Sequence, residues 1–134
     1  MQITNFEIRM GGDQLGGIAF KLNYGGSFVP VRLDGCFGKA QAYGAAAAAC
    51  VGIIFGLNLV KIAEALLKYE APPRRGKLVA GIKRTWVIDD TYNASPLSME
   101  AAIQTAESLR APRKIAVLGD MLEIGKYTIE AHEH

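Results

Sequence analysis

Thr85-Trp86-Val87-Ile88-Asp89-Asp90-Thr91-Tyr92-Asn93-Ala94-Ser95-Pro96 decides the fold reading, because a short apolar run gives way at Asp89 to acids and small polar residues. The run has the length and composition of a strand. After it, Ser95 is placed to cap a helix and Pro96 suits its first turn. Met99, Ala102, Ile103, Ala106 and Leu109 then recur at helical spacing as a buried stripe, and Pro112 stops the helix. A second apolar run, Lys114-Ile115-Ala116-Val117-Leu118, ends in Gly119-Asp120-Met121. Strand, helix and strand in this order predict a right-handed βαβ unit with parallel strands, both ending at one edge of the sheet. Ligands of open α/β sheets bind outside those strand ends. Asp89, Asp90 and Asp120 are therefore read together as a candidate site, although any one of them alone reads as a solvated turn acid.

Upstream, the pattern changes. Over residues 1–33, Phe6, Ile8 and Met10 alternate with polar residues, Gly11-Gly12-Asp13 turns the chain, and Ile18, Phe20, Leu22 and Tyr24 alternate again. Gly25-Gly26 and a third run, Val29, Val31 and Leu33, complete an antiparallel meander with one buried face. A helix is predicted from Lys39 to Phe55, with Tyr43, Ala47, Cys50, Val51 and Ile54 on its face. Asn58 caps another, whose apolar stripe is Leu59, Ile62, Ala63 and Leu66. Pro72-Pro73-Arg74-Arg75 breaks that helix, and Lys77 to Lys83 reads as a short strand and turn. The domain junction is placed there, giving partial domains at 1–80 and 81–134.

Composition removes several classes of function. The net charge is +2, from 15 basic and 13 acidic residues without a basic run, so nothing points to nucleic acid. Cys36 and Cys50 lack metal-ligand spacing and read as reduced structural thiols in a cytosolic setting. The uncharged stretch Ala42 to Leu57 is shorter than the roughly 20 residues a membrane span needs, and its Ala and Gly suit close packing in a core. No signal peptide is visible after Met1. His132 and His134, two apart on a helix, fall on different sides and read as solvent-facing rather than as a metal pair. The final helical pattern stops after about two turns, and a parallel sheet of two strands has too little core to stand alone. The expectation is a piece of an enzyme, continuing beyond His134 and before Met1.

The runs Val87 to Ala102 and Ile115 to Gly125, in that order and at βαβ spacing, resemble the Mur ligases, and among them those that add D-alanyl-D-alanine. More weakly, the meander, Gly38, the Ala-rich helix and Gly56 are similar to the end of the family's central ATPase domain. Thr85 onward is similar to the start of its Rossmann-like C-terminal domain. The resemblance implies an α/β fold and an ATP- and Mg2+-dependent carboxylate-amine ligase of cell-wall synthesis. Its substrates would be UDP-N-acetylmuramoyl-tripeptide and D-alanyl-D-alanine, and the complete enzyme would be a cytoplasmic monomer without a membrane span. It implies that Asp90 contacts the nucleotide ribose, Asn93 lies near adenine, Arg75 meets the nucleotide phosphates, and Asp120 and Met121 lie toward the dipeptide.

No Gly-rich loop ending in Gly-Lys-Ser/Thr occurs in the sequence, so no catalytic or metal-binding residue is assigned and the chain alone is expected to be inactive. The sequence departs from the family pattern at Ala40, Gln41 and Gly44, where a His-Asn or His-Gln pair and then an Asn are usual, and at Arg74, where Gly is usual. These departures put nucleotide contacts from the central domain in question, with Gln41 and Arg74 as candidate substitutes. The alternatives are a non-catalytic nucleotide-binding or docking module derived from such a ligase, and a Mur-type ligase for another amino acid, which Gly119-Asp120-Met121 argues against.

Overall fold

The computed structural model describes residues 1–11 and 14–133. Strands β1 (Gln2–Gly11), β2 (Gln14–Tyr24) and β3 (Ser27–Asp34) form an antiparallel sheet in that order. Gly25 and Gly26 lie between the paired Tyr24 and Ser27 at φ 58° and 78°, left-handed positions that a two-residue hairpin requires and glycine adopts freely. Alternation puts Ile18, Phe20 and Leu22 of β2 and Val29, Val31 and Leu33 of β3 in the core. In β1 the register shifts between Thr4 and Glu7, with Asn5 at φ 53°. This bulge allows Ile3 and Phe6, three apart, both to pack on the same core, which strict alternation would forbid. Of the expected turn at residues 11–13, Gly12 and Asp13 lie outside the described residues, as does the side chain of Met10.

Two helices cover the sheet. The first, α1 (Lys39–Ile54), buries Ala42, Ala45 and Ala49. That corrects the expected face: Tyr43, Ala47, Cys50, Val51 and Ile54 are exposed. In a helix that is apolar all round, both stripes have helical spacing, and the one with the smallest side chains allows the closest approach to the sheet. The second, α2 (Leu59–Leu66), keeps its expected stripe, with Ile62 buried and Leu59, Ala63 and Leu66 packed beside it. Asn58 caps it, its side-chain oxygen accepting from the Lys61 N–H at 2.9 Å.

A second sheet begins at the predicted junction. Strand β4 (Lys77–Ala80) pairs antiparallel with β5 (Trp86–Asp89) around a 3-10 turn at Ile82–Arg84. It is fastened to the first sheet by a bridge between Cys36 and Lys77 and by the Leu78 N–H donating to the Gly35 carbonyl at 3.0 Å. Helix α3 (Pro96–Ser108) follows, with a reciprocal cap between Ser95 and Ser98, and a short α4 (Thr128–Glu133) ends the described chain.

The βαβ expectation is corrected here. Lys114–Leu118 forms no strand, and among the described residues no strands pair in parallel. A parallel pair needs cover from its crossover helix. Yet α3 has no buried residue, Ile103 of its expected stripe is exposed, and Val117 is 92% exposed. Pairing there would gain a hydrogen-bond ladder with little apolar burial behind it. Strand β5 takes the nearby antiparallel partner instead, which a short connection can supply. Helix α3 also ends at Ser108, before Pro112. Among the described residues no helix is long and apolar enough to cross a membrane.

Candidate functional site at the junction

The turn after β5 sets the geometry. Asp89 accepts from the Thr91 hydroxyl at 2.7 Å and from its N–H at 3.3 Å, so this carboxylate is occupied in shaping the loop. Asp90 is exposed, and no hydrogen bond engages its side chain among the described residues. Asn93 turns its carbonyl oxygen to the Ala94 N–H at 2.9 Å, leaving its amide donors directed elsewhere.

The segment Pro72–Gly76 is drawn to this loop from the other side. The Tyr92 N–H donates to the Arg74 carbonyl at 3.1 Å, and the Arg75 guanidinium lies 3.8 Å from the Tyr92 ring centroid. Gln41, near the start of α1, donates through its side-chain amide to the Arg75 carbonyl and accepts from the Tyr69 hydroxyl at 2.9 Å. Burial, and then the neighbouring Cys36 thiol, push the Tyr69 phenol above its ordinary pKa, which keeps it a donor. Gly76 completes the clasp at φ 63°, where a Cβ would stand 2.7 Å from the Phe37 carbonyl oxygen. Arg74 has φ 65°, a left-handed backbone, so the residue class expected from the resemblance at this position, glycine, is the one its conformation favours.

Arg75, Asp90 and Asn93 are thus carried by two segments that the backbone and the Tyr92 ring hold together. No hydrogen bond or ion pair among the described residues joins Asp120 or Met121 to the loop at 89–93. Met121 is buried, and its N–H donates to His132 Nε2 at 2.9 Å, while His132 Nδ1 lies 2.7 Å from the Thr128 carbonyl. The exposed His132 ring thus links the Met121 backbone to the last helix of the described chain. His134 lies outside the described residues. The sequence reading missed Tyr92, Tyr69 and His132 as holding residues. Tyr92 offered one signal, its place between Asp90 and Asn93.

The donor set suits a nucleotide better than a metal. A guanidinium without a carboxylate partner and an unengaged carboxylate offer, respectively, a fork for phosphate oxygens and an acceptor for ribose hydroxyls. Among the described residues the one ion pair is Arg9–Asp34, at 2.7 Å, and no three His, Cys, Asp or Glu side chains converge as metal ligands.

Comparison with known proteins bears on the same region. The family described as "Mur ligase, glutamate ligase domain" matches residues 74–134. The UDP-N-acetylmuramoyl-tripeptide–D-alanyl-D-alanine ligase of Bacillus subtilis (strain 168) is 39% identical over 99 residues, which cover 73% of this chain and 21% of the relative. This chain belongs to the Mur ligase family. The ligase of the same name from Mycobacterium bovis extends the Mur ligase match to 129 residues at 36% identity, 90% of this chain and 25% of the relative. Among solved Mur ligases, MurF from Acinetobacter baumannii superposes on 97% of the chain with a TM-score of 0.81 and 28% identity, using 27% of its own length. MurF from Thermotoga maritima, solved in complex with ADP, superposes on 98% with a TM-score of 0.80 and 26% identity. The chain thus spans about a quarter of the length of the Mur ligases it matches.

Proposed function

We propose that this chain is part of an ATP-dependent ligase that adds D-alanyl-D-alanine to UDP-N-acetylmuramoyl-tripeptide in cytoplasmic peptidoglycan synthesis. The observation that carries the reading is the 129-residue match to a ligase of that name, which runs through both the meander and the junction. In the reaction, a carboxylate takes the terminal phosphoryl group of ATP, because its own oxygen is a poor leaving group. The dipeptide amine then attacks the acyl phosphate, releasing phosphate as the amide forms. Magnesium would neutralise charge on the phosphates.

Within that enzyme, residues 1–80 end the central domain and 81–134 begin the C-terminal one. Arg75 faces the nucleotide phosphates, Asp90 the ribose and Asn93 the adenine side. Asp120 and Met121 lie toward the dipeptide. The Thermotoga maritima relative, solved with ADP, supports the nucleotide assignments by its fold over 98% of this chain.

The test is a chimera in which this chain replaces the matching segment of the Bacillus subtilis ligase. ATP-dependent phosphate release that requires D-alanyl-D-alanine is expected. A folded chimera that releases none, or that responds instead to glutamate or a diamino acid, contradicts the reading.

A further inference from the structure

We propose that Tyr92 is a positioning residue: its ring holds the Arg75 guanidinium flat at the junction so that the arginine's N–H edges face the nucleotide phosphates. The inference rests on the nucleotide reading above and deepens it by naming what aims the arginine.

The geometry is over-determined. The Arg75 carbonyl is fixed by Gln41 of α1, and the preceding carbonyl, of Arg74, accepts from the Tyr92 N–H at 3.1 Å. Backbone anchoring on both sides brings the guanidinium to 3.8 Å from the ring centroid, well inside the roughly 6 Å over which cation and ring attract. A guanidinium lying on a ring keeps its donors in its own plane, pointing outward. With Arg9–Asp34 the one ion pair among the described residues, Arg75 has no carboxylate to compete with a phosphate. Both Arg75 and Tyr92 are exposed, so the stack faces solvent and a ligand can reach it. An arginine ordered in advance loses less side-chain freedom when an anion binds.

Two measurements on the Bacillus subtilis chimera described above decide the matter. In the ligand-free chimera, the Arg75 side-chain NMR signals should carry a ring-current shift that Tyr92→Phe keeps and Tyr92→Leu abolishes. In ADP titrations, Tyr92→Leu should weaken binding about two- to fivefold, the affinity expected of an exposed cation–ring contact. Tyr92→Phe should rescue it, and Tyr92→Leu should add nothing once Arg75 is Ala. If Arg75→Ala weakens ADP binding while Tyr92→Leu does not, or if the two effects add, the positioning role is overturned and the nucleotide reading stands. If neither substitution changes ADP binding, or no ADP binds, both fall. Loss of the ring-current shift in Tyr92→Phe also overturns the positioning role.

Discussion

Arg74 shows how much of a site is written at single positions. Its φ of 65° imposes a left-handed backbone on a residue with a Cβ, while its carbonyl holds the Tyr92 N–H. Arg74→Gly relieves the conformational penalty, offset in part by the greater freedom of the unfolded chain, and should stabilise the protein by about 0.5–1 kcal/mol. Urea unfolding reads this directly, and a lower midpoint contradicts it. The sequence flagged position 74 through a family departure, but the reason is conformational and becomes visible only with the dihedral. Cys36 carries a second residue-scale effect. Burial, chiefly, raises its thiol pKa above the ordinary 9.0, with Asp34 adding to the rise and an Ala71 backbone hydrogen bond and Lys77 opposing it. Above pH 9.0 the unfolded thiol ionises first and binds fewer protons than the folded one, so stability falls as pH rises through the folded pKa. The thermal midpoint should drop from about pH 9 upward, and Cys36→Ala should flatten that drop; an unchanged slope in the variant contradicts the assignment.

At the scale of elements, the meander was legible because period two has one solution when one face is buried, and α2 because its cap and stripe agree. The face of α1 was not legible: with Ala, Cys, Val and Ile on every side, the sequence offers no contrast, and sheet proximity chooses Ala42, Ala45 and Ala49. Lys114–Leu118 has strand composition, yet composition cannot supply a partner, and the structure gives it none. Helix α2 yields the element-scale prediction. Ile62 is 4% exposed and packs against Gly52, whose added Cβ would lie 3.1 Å from its side chain. Ile62→Ala should cost about 2–4 kcal/mol by leaving a cavity under both helices. A denaturation curve within 1 kcal/mol, roughly, of the parent would show that this contact does not hold the layer.

Across the whole molecule, burial is uneven. The core lies almost entirely in the meander, α1 and α2, while among the described residues beyond β5 only Met121 is buried. Hydrogen exchange should follow that division, with β2 and β3 amides protected longest and those of α3 exchanging much faster. Equal protection throughout would contradict it. The candidate site sits where the two regions meet, which explains why sequence reading could name candidate residues but not their arrangement: Asp90 and Asn93 belong to a recognisable run, whereas the Gln41–Tyr69–Arg75–Tyr92 links join segments far apart in the chain. The most direct test of the proposal that the junction faces the nucleotide is Asp90→Ala in the Bacillus subtilis chimera, followed by the ATP dependence of phosphate release. Loss of charge-assisted hydrogen bonds to ribose should raise KM for ATP by about tenfold or more, with the thermal midpoint unchanged because Asp90 is exposed. An unchanged KM would remove Asp90 from the site and contradict the account.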